Sequence, residues 1–131
     1  MSLELVRSTD LSDRAPYAYA SRVSGGSLVF TAGACPLDDE GRIGPVGDHM
    51  GQAERVVRNL VTALSAADSR LEDVAKTTVY VVTDRREDLQ AVWAVVRAAF
   101  GDHDAPSTLL AVPLLGYEDQ LVEVEAVAVV S

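Results

Sequence analysis

The sequence is poor in the residues that most chemistry and most scaffolds rely on. Its 131 residues include one cysteine, one tryptophan, two histidines and one lysine. A single cysteine, Cys35, closes no disulfide within the chain, which is expected of a protein kept in the cytoplasm. His49 and His103 lie far apart and have no ligand-like spacing with Cys35, so no metal is expected. No apolar run nears the roughly 18 residues of a membrane span. The start, Met1–Asp10, has neither the basic beginning nor the apolar core of a signal peptide, and no membrane partner is expected. Basic residues are outnumbered 11 to 20, for a net charge of −9. A nucleic-acid binder gathers Lys and Arg against phosphates, and here the arginines are scattered and Lys76 stands alone, so nucleic acid is disfavoured as a partner. Gly25-Gly26 and Gly44/Gly47 are turn glycines outside any strand–glycine–helix context; they form no phosphate loop, and no cofactor is expected.

What the chain does have is 48% hydrophobic residues, enough for one core in a single domain, residues 1–131. The stretch Asp104–Val130 organises the rest. Leu121–Val130 alternates Glu123, Glu125, Val127 and Val129 with Val122, Val124, Ala126, Ala128 and Val130, a period of two with one wholly apolar face. Carboxylates on such a core strand are explained if their side lines a cleft or meets water. Thr108–Val112 reads as a second strand, entered through the loop Asp104–Ser107. A loop bringing polar groups beside a carboxylate-bearing strand is a candidate site.

Earlier in the chain, Leu3–Val6 reads as a first strand. Tyr17–Val23 and Leu28–Ala32 flank Ser24-Gly25-Gly26-Ser27, whose glycines supply the positive φ of a tight hairpin. From His49 to Ala67 the spacing of Ala53, Val56, Val57, Leu60 and Leu64 is helical. Asp68 then stands where glycine would more easily take the left-handed backbone. Leu71–Val74 leads into Lys76–Val82, a β-branched strand. A second helix is expected to start at Asp84 as cap, with Glu87 three residues on, and to end at Gly101. Leu89, Val92, Trp93, Val96 and Phe100 form its apolar stripe. The order is β-β-β-α-β-α-β-β, an α+β domain of two helix–strand units. Both helices should cover one face of a single mixed sheet. The other face is then bare, so partner copies are expected to cover it.

Several segments carry weight together, in their order and spacing: Pro16-Tyr17, Leu28-Val29-Phe30-Thr31-Ala32-Gly33 with Pro36-Leu37-Asp38, Asn59-Leu60, Leu71-Glu72-Asp73-Val74 with Lys76-Thr77-Thr78-Val79, and Val122–Ala128. With them the chain resembles the RidA (YjgF-like) family, whose early members were described as translation inhibitors or endoribonucleases (L-PSP-like). The resemblance implies a chorismate-mutase-like fold, a homotrimer with three clefts between subunits, and cofactor-free hydrolysis of imines and enamines such as 2-iminopropanoate. It also implies an arginine, in a P-x-R-S-like segment, gripping the substrate carboxylate. A strand glutamate handles water or the imine nitrogen, and a tyrosine borders the cleft. Glu123 and Tyr17 match that pattern. Ser107 stands where the arginine should be, and no Arg or Lys follows Arg97. Leu109 stands where a small polar or thiol residue is often found.

Two readings of each candidate stay open on sequence alone. Glu123 either activates a water, as a carboxylate beside apolar residues can, or is a solvated strand carboxylate; Glu125 reads as structural. Ser107 and Thr108 either bind a ligand or shape the turn after Pro106. Tyr17 reads as a cleft wall, Gly33 as part of the same cleft, and Tyr19 as packing. Cys35 reads as a small apolar residue, having no His or Lys nearby in sequence to activate it. The expected function is binding of a small metabolite in inter-subunit clefts, without standard deamination of 2-iminopropanoate. The alternatives are imine or enamine deamination using another cation, such as Arg14 or Arg22 of a neighbouring subunit, and RNA cleavage or translational inhibition.

Overall fold

The structure is a computed structural model and describes residues 2–130. The order of elements is the expected one. β1 spans Ser2–Val6, β2 Ala20–Ser24, β3 Ser27–Phe30, α1 His49–Ala66, β4 Val74–Val82, α2 Arg86–Phe100, β5 Ser107–Val112 and β6 Val122–Val130. A short 3-10 turn, Leu71–Asp73, leads into β4.

The main sheet is mixed and has the order β3-β6-β4-β5, with β4 and β5 parallel and the other pairs antiparallel. Its core follows from alternation. Val122, Val124, Ala126 and Ala128 of β6 and Val79 and Val81 of β4 are buried against the helices. Leu60 and Leu64 of α1 and Val92 and Val96 of α2 meet them from above. Each such leucine removed from water contributes about 1.5–3 kcal/mol, which outweighs the weak helix propensity of the valines around it. On the other face Glu123, Glu125 and Val127 are half-buried, and Leu28, Phe30 and Leu110 are exposed. Phe30 is 71% exposed, a large apolar side chain left mostly open by the described residues.

Two expectations are corrected. Gly25 and Gly26 do take positive φ, 73° and 72°. The strands they join nevertheless do not form a hairpin: β2 pairs with β1 in a separate two-stranded ladder, and β3 pairs with β6. The nine-residue β6 needs a partner along its second edge, and β3 supplies it, so the glycines carry the chain from one sheet to another. Nor does Asp84 cap α2. The helix begins after Arg85, which makes no side-chain cap. Thr83 does the local work instead: its hydroxyl accepts from the Arg85 N–H at 2.9 Å and donates to Asp88 Oδ2 at 2.7 Å.

α1 is capped by Asp48, whose carboxylate accepts from the Gly51 N–H at 2.9 Å. Past its C-terminus Asp68 does adopt φ 62°, and the Asp68 and Ser69 N–H groups close on the carbonyls of Ser65 and Leu64. Because only glycine enters that conformation without cost, Asp68→Gly is expected to stabilise the protein by about 0.5–1 kcal/mol. A denaturant midpoint that fails to rise would contradict this.

Candidate functional site

The sequence candidates fall into two groups, one on each side of the main sheet. The first lies at the start of β6. Thr31 and Ala34 run alongside this strand: the Thr31 N–H donates to the Ala126 carbonyl at 3.0 Å and the Ala34 N–H to the Val124 carbonyl at 2.7 Å. Gly33, between them, is thereby pressed against Glu123, and a Cβ there would overlap Glu123 Oε2, Cδ and Cγ. Gly33→Ala should therefore displace the carboxylate while sparing the fold, since a surface-reaching side chain can swing aside; the expected cost in stability is under about 1 kcal/mol. Denaturation with a crystal structure of the variant checks this, and a Glu123 left in place would refute it.

Cys35 follows in the same loop. Asn59 of α1 anchors the segment by donating to the carbonyls of Cys35 at 2.8 Å and Leu37 at 3.0 Å. Cys35 Sγ then lies 3.2 Å from Glu123 Oε1 and 3.4 Å from the Gly33 carbonyl. Gln120 Nε2 donates to the same Oε1 at 3.2 Å. Burial first, and then the hydrogen bond to and charge of Glu123, push the Cys35 thiol up to about 11. Sequence reasoning missed Cys35 and Gln120 as partners of the glutamate. Cys35 is 88 residues away in sequence, and no local spacing signals the contact. Glu125, read as structural, accepts from the Tyr80 hydroxyl at 2.6 Å. That bond is the main cause holding the Tyr80 phenol above its ordinary value.

The second group sits at the edge formed by β5. The hydroxyl of buried Thr77 donates to Ser107 Oγ at 2.7 Å, fixing the serine on the helix-covered face. There Ser107 lines a groove with Pro16, Tyr17, Trp93, Thr108 and Leu109. Tyr17 is held by its neighbours: the Ala18 N–H donates to the Asp104 carbonyl at 2.8 Å, and Arg7 bridges the Ala15 carbonyl and Asp104 Oδ2, each at 3.0 Å. Tyr19 anchors the loop through a 2.6 Å hydrogen bond to the Ser12 carbonyl. Thr108, one residue on, accepts from Lys76 Nζ at 2.7 Å. By strand register Lys76 and Thr108 thus belong to the open face with Glu125, and burial lowers the Lys76 ammonium from its ordinary value.

Within one chain, then, Gly33 and Glu123 meet, and Tyr17 and Ser107 meet, whereas the Thr108 side chain stands on the open face with Lys76 and Glu125. Strand alternation puts Ser107 on the opposite face of the sheet from Glu123, so a single chain does not bring the groups together. Arg22, one of the substitute cations considered, pairs with Glu4 at 3.4 Å on the surface. His49 and His103 are tied to the carbonyls of Val82 at 2.9 Å and Val74 at 2.7 Å. Among the described residues no three His, Cys, Asp or Glu side chains converge as a metal site would require. No helix among the described residues is long and apolar enough to cross a membrane.

Comparison with known proteins places the chain in a family. The profile of the family described as Endoribonuclease L-PSP matches residues 10–130. The chain belongs to this family. It is the RidA or YjgF group to which the sequence motifs pointed. A RutC family protein of Pyrococcus abyssi is 34% identical over 113 residues, covering 86% of this chain and 85% of that one. The 2-iminobutanoate/2-iminopropanoate deaminase of Salmonella typhimurium is 32% identical over 127 residues, covering 92% of this chain and 96% of that one. The crystal structure of YyfB, a Rid-family protein of unknown function from Yersinia pestis, superposes with a TM-score of 0.92 at 24% identity, over 99% of this chain and all of that one. At that identity the likeness speaks for the fold.

Proposed function

We propose that this L-PSP family member works as a homotrimer whose inter-subunit clefts bind a small metabolite, and that 2-iminopropanoate is not its substrate. The reading rests on Ser107, which the sequence resemblance sets where the arginine is implied, and which is hydrogen-bonded to Thr77 and faces a groove of Tyr17, Trp93 and Leu109. A serine hydroxyl gives no charge-assisted, two-pronged grip on a carboxylate. The two halves of the site lie on opposite faces of one sheet, and a second chain is the way to join them. The exposed Leu28, Phe30 and Leu110 on the open face suit burial against further copies. With Glu123 as the matched charge and Leu109 making the cleft more apolar, the cleft favours a neutral or cationic molecule, including a carboxylate-free imine that Glu123 would help to hydrolyse.

A second reading, deamination with a different cation, has one observation in its favour. Arg97 lines a crevice with Ser107, Trp93 and Asp104. Its guanidinium is directed at Asp104 Oδ1, 4.0 Å away, in competition with any substrate. RNA cleavage has the family's name behind it and a net charge of −9 against it.

Light scattering and titration calorimetry test the proposal together. The expected mass is three times the 13.9 kDa chain, with no measurable heat on adding 2-oxobutanoate. A stable monomer at micromolar concentration, or tight binding of that keto acid, would overturn it.

A further inference from the structure

Cys35, Gln120 and Glu123 come from the loop after β3, the loop before β6 and β6 itself, and they meet at one carboxylate oxygen. Cys35 Sγ and Gln120 Nε2 each stand 3.2 Å from Glu123 Oε1. Gln120 is only 3% exposed and is itself held: its Oε1 accepts from the Tyr117 N–H at 3.2 Å, and its Nε2 also donates to the Val122 carbonyl at 3.1 Å. The other carboxylate oxygen, Oε2, lies against Gly33 and accepts from no described residue. We propose that Cys35 and Gln120 are positioning residues that fix Oε1 of Glu123, so that Oε2 alone faces the bound molecule. The proposal rests on the reading of Glu123 as the group that acts on that molecule. A carboxylate held through one oxygen presents the lone pairs of the other in a set direction, which proton transfer requires. The thiol serves as a donor and not as a nucleophile. Burial beside a carboxylate is the reverse of the electropositive setting that activates cysteine.

Iodoacetamide on the intact protein tests the contact, since Cys35 is the one cysteine of the chain. Wild-type alkylation at pH 8 should run at least about tenfold slower than that of free cysteine. Glu123→Gln removes the charge facing the thiol. It should speed alkylation by about three- to tenfold and shift the rate–pH curve to lower pH. Coincident curves for the two proteins would overturn the proposal. A second arm follows hydrolysis of a carboxylate-free imine generated by an amine oxidase. Cys35→Ala should lower kcat by about three- to tenfold with little change in KM, and Cys35→Ser, which keeps a donor, should restore most of it. A Cys35→Ala variant equal to wild type would also overturn the proposal. If the wild type itself leaves that imine untouched, the functional reading above fails, and the alkylation curves still decide whether the thiol is held by Glu123.

Discussion

Ser107→Arg is expected to raise the rate of 2-iminopropanoate hydrolysis by about 30- to 1,000-fold over wild type. That range corresponds to roughly 2–4 kcal/mol for a charge-assisted, two-pronged contact with the substrate carboxylate. The structure makes room for the change. Residue 107 faces a groove open to solvent between Tyr17, Trp93 and Leu109, so a longer side chain has a way out. The substitution also takes from buried Thr77 the oxygen that its hydroxyl donates to at 2.7 Å, which should cost about 1 kcal/mol of stability. A coupled assay, with an amino-acid oxidase supplying the imine, measures the gain; denaturation measures the cost. If Ser107→Arg folds and adds no activity, the groove is not where the carboxylate would sit.

The largest effect on stability is expected from Gln52→Leu, a loss of about 3–5 kcal/mol. Gln52 is fully buried in α1 and makes three hydrogen bonds. Its Nε2 donates to the carbonyls of Pro45 at 2.9 Å and Asp119 at 3.0 Å, and its Oε1 accepts from the Leu121 N–H at 2.7 Å. Leucine fills the volume and leaves two carbonyls and an N–H without partners away from water. Two of those groups flank Gln120, which holds Glu123, and Asp119 takes an otherwise costly φ of 65°. Loosening this loop should therefore disturb the carboxylate as well as the fold. Urea denaturation of wild type and variant decides it, and a difference below about 1 kcal/mol would show that water replaces the lost partners.

Sequence periodicity was enough to order every helix and strand, because one face of each element had to be apolar. β6 shows why: its alternation alone placed Val122 and Val124 in the core and Glu123 and Glu125 on the other face. Pairing was less legible. The local signal at Gly25-Gly26 specifies backbone torsion, whereas the partner of β3 is decided by the unsatisfied edge of β6, a hundred residues later in the chain. The expected cap of α2 failed because the N-cap position falls on Arg85, which has no side-chain oxygen to offer, and Thr83, two residues earlier, ties the entry to the helix through the Arg85 N–H and Asp88. In the site, Glu123 and Gly33 were visible through the resemblance. Gln52, Cys35 and Gln120 were not, because a polar residue within an apolar pattern announces no partner until the chain is folded. The division of the candidates between two faces was readable in principle from the register of β5 and β6, once those strands were known to share a sheet through β4.

The proposed lack of a carboxylate grip at residue 107 is open to a direct test. The direct measurement is the rate at which 2-iminopropanoate, generated by an amino-acid oxidase, disappears with and without the purified wild-type protein. The rate should match that in buffer alone. Acceleration equal to that given by the same concentration of the Salmonella typhimurium deaminase would contradict the account.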